Sequence, residues 1–129
     1  MRIKSFPHKP EVNIDDWDKV HKNLVLLSEF LIDFCLANKL PVLVTSIIRP
    51  KINGVSVSKT HQEGRAFDIS VNGWGDSDIE IFVDSCNEKM NIGAISFSDG
   101  KEREAIFEDD VFKDDKQIKW KHIHLQVRA

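Results

Sequence analysis

The chain has 129 residues, 41% hydrophobic and 30% charged, with a net charge of −3 and a pI of about 5.9. That length suits one hydrophobic core and is too short for two, so a single domain over 1–129 is expected. The acidic balance argues against a nucleic-acid partner, and no apolar run is long enough to span a membrane.

In chain order, residues 1–13 read as extended, because Pro7 and Pro10 oppose a helix. No apolar signal-peptide core is present there, so synthesis in a cytoplasm without a signal peptide is expected. Asn13 or Asp15 can cap the next element. From Ile14 to about Asn38, Trp17, Val20, Leu24, Leu27, Leu31 and Phe34 recur with helical spacing, which predicts one long amphipathic helix ended by Pro41. Residues 41–48, PVLVTSII, are rich in β-branched side chains and predict a buried strand closed by Arg49 and Pro50. Asn53-Gly54 marks a tight turn in a loop over 51–60, with room for a short hairpin. RAFDISV (65–71) predicts a strand. Asp76 or Ser77 can cap a second helix over about 78–90, with Ile79, Phe82, Val83 and Cys86 on its apolar face. Further strands are predicted at 92–98, at 103–108 across an Asp99-Gly100 turn, and at 122–127. The acidic run 108–115 and the basic run 116–122 nearly cancel. Cys35 and Cys86 sit among apolar residues and read as small buried hydrophobes. The pattern is α+β: a small, mostly antiparallel sheet with two helices packed on one face.

The chemistry gathers in two strands. In the first, Phe67, Ile69 and Val71 point one way and Ala66, Asp68 and Ser70 the other. Gly64 lets the chain turn sharply before the strand, so His61 can fold back toward Asp68. In the last strand, His122, His124 and Gln126 share one face and Ile123, Leu125 and Val127 share the other. If these two strands are neighbours, one pocket collects His61, Asp68, His122 and His124. Three nitrogen or oxygen ligands with an open position form the pattern of a catalytic zinc site. Taken singly, each motif has a plainer reading: polar residues on an exposed strand, or an aspartate capping a turn. Two polar strand faces, each with a clean apolar reverse and both aimed at one pocket, carry the site. The same ligands also suit cobalt, manganese or iron.

HQEGRAFDIS (61–70) resembles the His-x-x-Gly-x-Ala-x-Asp signature of the zinc D-Ala-D-Ala peptidase superfamily. That superfamily includes D-Ala-D-Ala carboxypeptidases and dipeptidases, phage L-alanyl-D-glutamate endolysins and the amino-terminal domain of hedgehog proteins. HIH (122–124) resembles its second signature, and VTSIIR (44–49) its arginine-ended strand; the likeness spans about residues 41–129. It implies zinc held by His61, Asp68 and His124. His122 would be the catalytic base or transition-state stabiliser, and Arg49 would pair with a substrate carboxylate. Gln126 would face substrate or hold a ligand by a hydrogen bond. The implied activity is zinc-dependent hydrolysis of peptidoglycan stem peptides, nearest the carboxypeptidase branch, by a monomer with no nucleic-acid or membrane partner. Such an enzyme would reach the cell wall through a phage holin or in a virion. The alternative is a zinc-binding structural or recognition module without catalysis.

The chain departs from the family pattern in three places. Lys59 stands where many members carry serine, two positions before the first ligand. Lys121 stands where dipeptidases carry glutamate and many endolysins aspartate, and Ile118 where hedgehog domains carry glutamate. The usual carboxylate is therefore not where those branches keep it, which favours the module without catalysis. Glu63, Glu108 and the run 109–115 are the candidates to replace it, with Glu63 reading as structural inside its turn.

Overall fold

The computed structural model describes residues 1–48, 59–96 and 99–129. Three α-helices lie among them: α1 (Lys22–Asn38), α2 (Lys59–Gln62) and α3 (Asp76–Lys89). The strands are β1 (Val44–Ser46), β2 (Ala66–Ser70), β3 (Ala94–Ile95), β4 (Glu102–Arg103), β5 (Ala105–Glu108), β6 (Val111–Lys113), β7 (Lys116–Lys119) and β8 (His122–Gln126). The main sheet is antiparallel, in the order β1-β2-β8-β5. Two hairpins, β3–β4 and β6–β7, stand apart from it.

Strand alternation divides the sheet into two faces. Phe67 and Ile69 of β2 and Ile123 and Leu125 of β8 are fully buried in one core with Leu24, Leu27 and Leu31 of α1 and Ile79 and Phe82 of α3. Trp17 packs edge-on against Phe67 at 5.0 Å between ring centres. The other face carries Asp68 and Ser70 beside His124 and His122. The free edge of β1 is covered by the N-terminal segment, where Lys9 N–H donates to the Val44 carbonyl and Val44 N–H to that of Pro7. No helix among the described residues is long and apolar enough to cross a membrane.

Several local expectations are corrected. Residues Arg2–Ser5 form a 3-10 turn within the segment expected to be extended. The helix expected from Ile14 to Asn38 is two pieces: a 3-10 turn at Ile14–Asp18, capped by the Asn13 side chain, and then α1. The break has a cause far along the chain. His21 N–H, which a continuous helix would give to the carbonyl four residues back, donates instead to the Gly64 carbonyl at 2.9 Å. The His21 ring then caps α1 by accepting from Asn23 N–H. Gly64 has φ +68, and a Cβ there would come 3.2 Å from the Lys19 carbonyl oxygen and 3.3 Å from Val20 Cα. Only glycine meets both the left-handed backbone and that close approach.

α3 starts earlier than expected and is capped by neither Asp76 nor Ser77. Its N-cap is Gly75, whose N–H donates to the Asp78 carboxylate at 3.0 Å. The Asp99-Gly100 turn joins β3 to β4, but the rest of the segment expected to pair with 92–98 goes elsewhere. From Ala105 the chain crosses into the main sheet as β5, beside β8. The β6–β7 hairpin lies where the sequence shows only opposing charge runs. The hairpin considered within 51–60 falls on residues outside the described ones, apart from Lys59 and Thr60, which begin α2. Cys35 and Cys86 are free, buried thiols; burial pushes the Cys35 thiol up to about 12 and raises that of Cys86 as well.

Candidate metal centre

β2 and β8 pair with Asp68 directly opposite His124 and Ser70 opposite His122. Asp68 and His124 therefore project side by side from the non-core face. His61 arrives from α2, which ends just before Gly64. The left-handed turn at Gly64 folds α2 back over the start of β2. His61, Asp68 and His124 are 1%, 2% and 8% exposed, and one ligand atom from each lies within 4.8 Å of the others. These three can hold a metal ion.

The hydrogen bonds around the triad show what its inward atoms are. His61 Nδ1 lies 2.7 Å from the Ile47 carbonyl oxygen, which can only accept, so Nδ1 carries the hydrogen. The Gln126 amide nitrogen donates to two carbonyls, Ala94 and Arg103, both at 3.1 Å. That fixes the amide, and its oxygen faces His124 Nε2 at 3.0 Å. His124 Nε2 therefore carries the hydrogen on that ring. The remaining nitrogen of each ring then faces one carboxylate oxygen: His61 Nε2 at 3.2 Å and His124 Nδ1 at 2.9 Å from Asp68 Oδ1.

Three buried acceptor atoms converge in this way, with two of their rings locked from outside. Bare lone pairs do not sit together in a buried site; a proton or a cation must lie between them. With a proton on an inward nitrogen, the hydrogen bonds from His124 and His61 outweigh the effect of burial and hold the Asp68 carboxyl far below its ordinary range; a bound cation would take that proton's place. Two imidazoles and one carboxylate, with outer nitrogens held by a carbonyl and an amide, are a donor set and supporting shell that could hold a metal ion.

His122 lies on the same face, two residues along β8 from His124. Its Nδ1 donates to the Trp120 carbonyl at 2.9 Å, and its Nε2 lies 3.0 Å from Glu108 Oε2. The hydrogen bond with Glu108 raises the His122 pKa, and the same bond lowers that of Glu108. Side-chain exposure rises outward, from 2% at His61 and 3% at Asp68 to 10% at His124, 16% at His122 and 45% at Glu108. Among these described residues, His122 and Glu108 are the most exposed.

The other expected residues have plainer places. Gln126 is buried, and its amide is used on both sides; of its two expected roles, this geometry supplies the one of holding His124. Arg49 lies outside the described residues. Glu63 bonds to Arg65 at 2.8 Å and sits 3.8 Å from Lys59, as a residue inside a turn would. In the run 109–115, Asp110 accepts from Gln117 and from Lys121 N–H, which ties the β6–β7 hairpin to the start of β8. No sequence signal points to the Ile47 carbonyl, because a backbone acceptor leaves no mark there. Glu108 is one of several acids in the sequence and is singled out by pairing directly across from His122. No family model, curated protein or solved structure matches this chain.

Proposed function

We propose that this chain is a metal-dependent peptidase that hydrolyses peptidoglycan stem peptides, with zinc held by His61, Asp68 and His124. One observation carries the reading: three buried acceptor atoms converge on one point, with their outer partners fixed, beside a fourth titratable group on the same face. The resemblance of residues 61–70 and 122–124 to the zinc D-Ala-D-Ala peptidases supports the substrate class. When bound, zinc supplies Lewis acidity and lowers the pKa of a coordinated water toward neutrality. The chain's own residues do the rest. Asp68 holds its charge in a dry site, and the Ile47 carbonyl and Gln126 hold the two imidazoles in place. His122, on the same face, is proposed to serve the proton transfer or the developing oxyanion, directly or through the group its ring bonds to. Arg49 is proposed to pair with a carboxylate of the peptide. The protein would meet its substrate at a cell wall, after release through a holin-type pore or carriage in a virion.

The test is digestion of purified peptidoglycan by the zinc-loaded protein, read by mass spectrometry, with His61→Ala as control. New peptide fragments that are absent from the control, and whose ends identify the bond, are expected. His122→Ala is expected to keep its zinc and lose rate. A protein that holds one zinc and cleaves none of several wall chemistries would overturn the peptidase reading and leave a zinc-binding recognition module.

A further inference from the structure

The departures at Lys121 and Ile118 leave open which carboxylate handles the proton in this site. The hydrogen-bond inventory of His122 answers it. Its Nδ1 is committed to the Trp120 carbonyl, and its Nε2 faces the Glu108 carboxylate. Both ring nitrogens are thus turned to neighbours on the sheet and neither faces the triad. Glu108 is the acid that the fold sets beside it. β5 and β8 pair with Glu108 opposite His122 and Ile106 opposite His124, so Glu108 stands on the triad's face of the sheet, one row further out. It is also the more exposed partner, at 45% against 16% for His122, so its carboxylate is within reach of solvent.

We propose that Glu108 is the proton acceptor of this site, held over the sheet face by the cross-strand hydrogen bond from His122. This rests on the peptidase reading above. In the step it would serve, water's oxygen bonds to the amide carbon and one water proton passes to the Glu108 carboxylate. The C–N bond then breaks, and that proton is delivered to the departing amine nitrogen. The products are a carboxylic acid and an amine, and nothing is oxidised or reduced. His122 acts here as a positioning residue, holding Glu108 through Nε2 while the Trp120 carbonyl holds the ring through Nδ1.

The experiment compares wild type, Glu108→Gln and Glu108→Ala, all zinc-loaded, on the peptide bond identified by digestion. Zinc content is measured by mass spectrometry, and the His122 Nε2–H by long-range 1H–15N NMR. Expected is a loss of kcat of about 10²-fold or more in both variants, with KM and zinc content unchanged. Added formate or acetate should restore part of the Glu108→Ala rate. A merely structural glutamate would show no such rescue. The slowly exchanging Nε2–H should be present in wild type and lost in Glu108→Ala, whatever the substrate. Full activity in Glu108→Gln, loss of zinc from it, or absence of that proton in wild type would each overturn the proposal while leaving the peptidase reading standing. A wild type that cleaves no wall peptide would overturn both.

Discussion

Replacing Gln126 by leucine tests the lone-pair argument where it is most exposed to refutation. The side chain is 4% exposed and makes three hydrogen bonds: two donated to the Ala94 and Arg103 carbonyls, and one accepted from His124. Leucine fills similar space and makes none of them. Three neutral bonds at about 1 kcal/mol each give a loss near 3 kcal/mol in the metal-free protein, more if the stranded groups stay dry. The His124 ring would also lose the partner that fixes its tautomer, and outer partners of this kind affect metal affinity by about 10- to 100-fold. Gln126→Glu separates the two effects. Its carboxylate still accepts from His124 but cannot donate to the carbonyls, so stability should fall while zinc affinity holds. Urea unfolding of the metal-free protein and competition against a chromophoric zinc chelator read the two quantities separately. Wild-type zinc affinity in Gln126→Leu would show that the amide does not orient the ring, and the assignment of His124 Nδ1 as the inward atom would fall.

The Glu108–His122 pair gives the metal-free protein a pH-dependent increment of stability. The His122 pKa is raised, so its contribution is full below the unfolded value near 6.5 and is lost as pH rises through the folded value. The Glu108 pKa is lowered, so its contribution is full above the unfolded value near 4.3 and is lost as pH falls through the folded value. The stability difference between wild type and Glu108→Gln should therefore peak between about pH 4.3 and 6.5 and shrink on either side; a flat difference in urea midpoints would contradict the pairing. Gly93→Ala should destabilise by at least the roughly 1–3 kcal/mol of an overpacked site, because its Cβ would overlap the Arg103 backbone. An unchanged urea midpoint would show that β4 can move aside.

The legible parts of the fold are those whose pattern is local. In β2 and β8, Phe67, Ile69, Ile123 and Leu125 alternate with polar residues, and the observed register brings the two polar faces together. α1 is legible from its 3.6-residue spacing. The break before it is not, because Trp17, Val20 and Leu24 satisfy that spacing whether or not the helix is continuous. The contact with Gly64 decides it. The β6–β7 hairpin is hidden for a different reason. Its turn is Asp114-Asp115, both at positive φ, and lacks the glycine that usually announces such a turn. Its apolar residues Val111, Phe112 and Ile118 stay exposed, so no core demand marks them.

β5 shows how a side chain can reroute a strand. The Asp99-Gly100 signal is a true one, and β3 and β4 do pair around it. What ends that hairpin is Glu104, whose buried carboxylate accepts the N–H groups of Ile92 and Gly93 at 2.8 and 2.9 Å. Asn87 on α3 then takes the N–H groups of Glu104 and Ala105, both at 2.9 Å, and steers the chain into the main sheet. Neither residue carries a periodic signal, since each acts on a backbone far from its own. Yet this detour is what sets Glu108 opposite His122. The sequence shows which side chains can ligate a metal, because that depends on residue type and strand parity. The partner of His122, and the carbonyls that decide which nitrogens face inward, depend on where distant backbone is held, and only the folded chain supplies that.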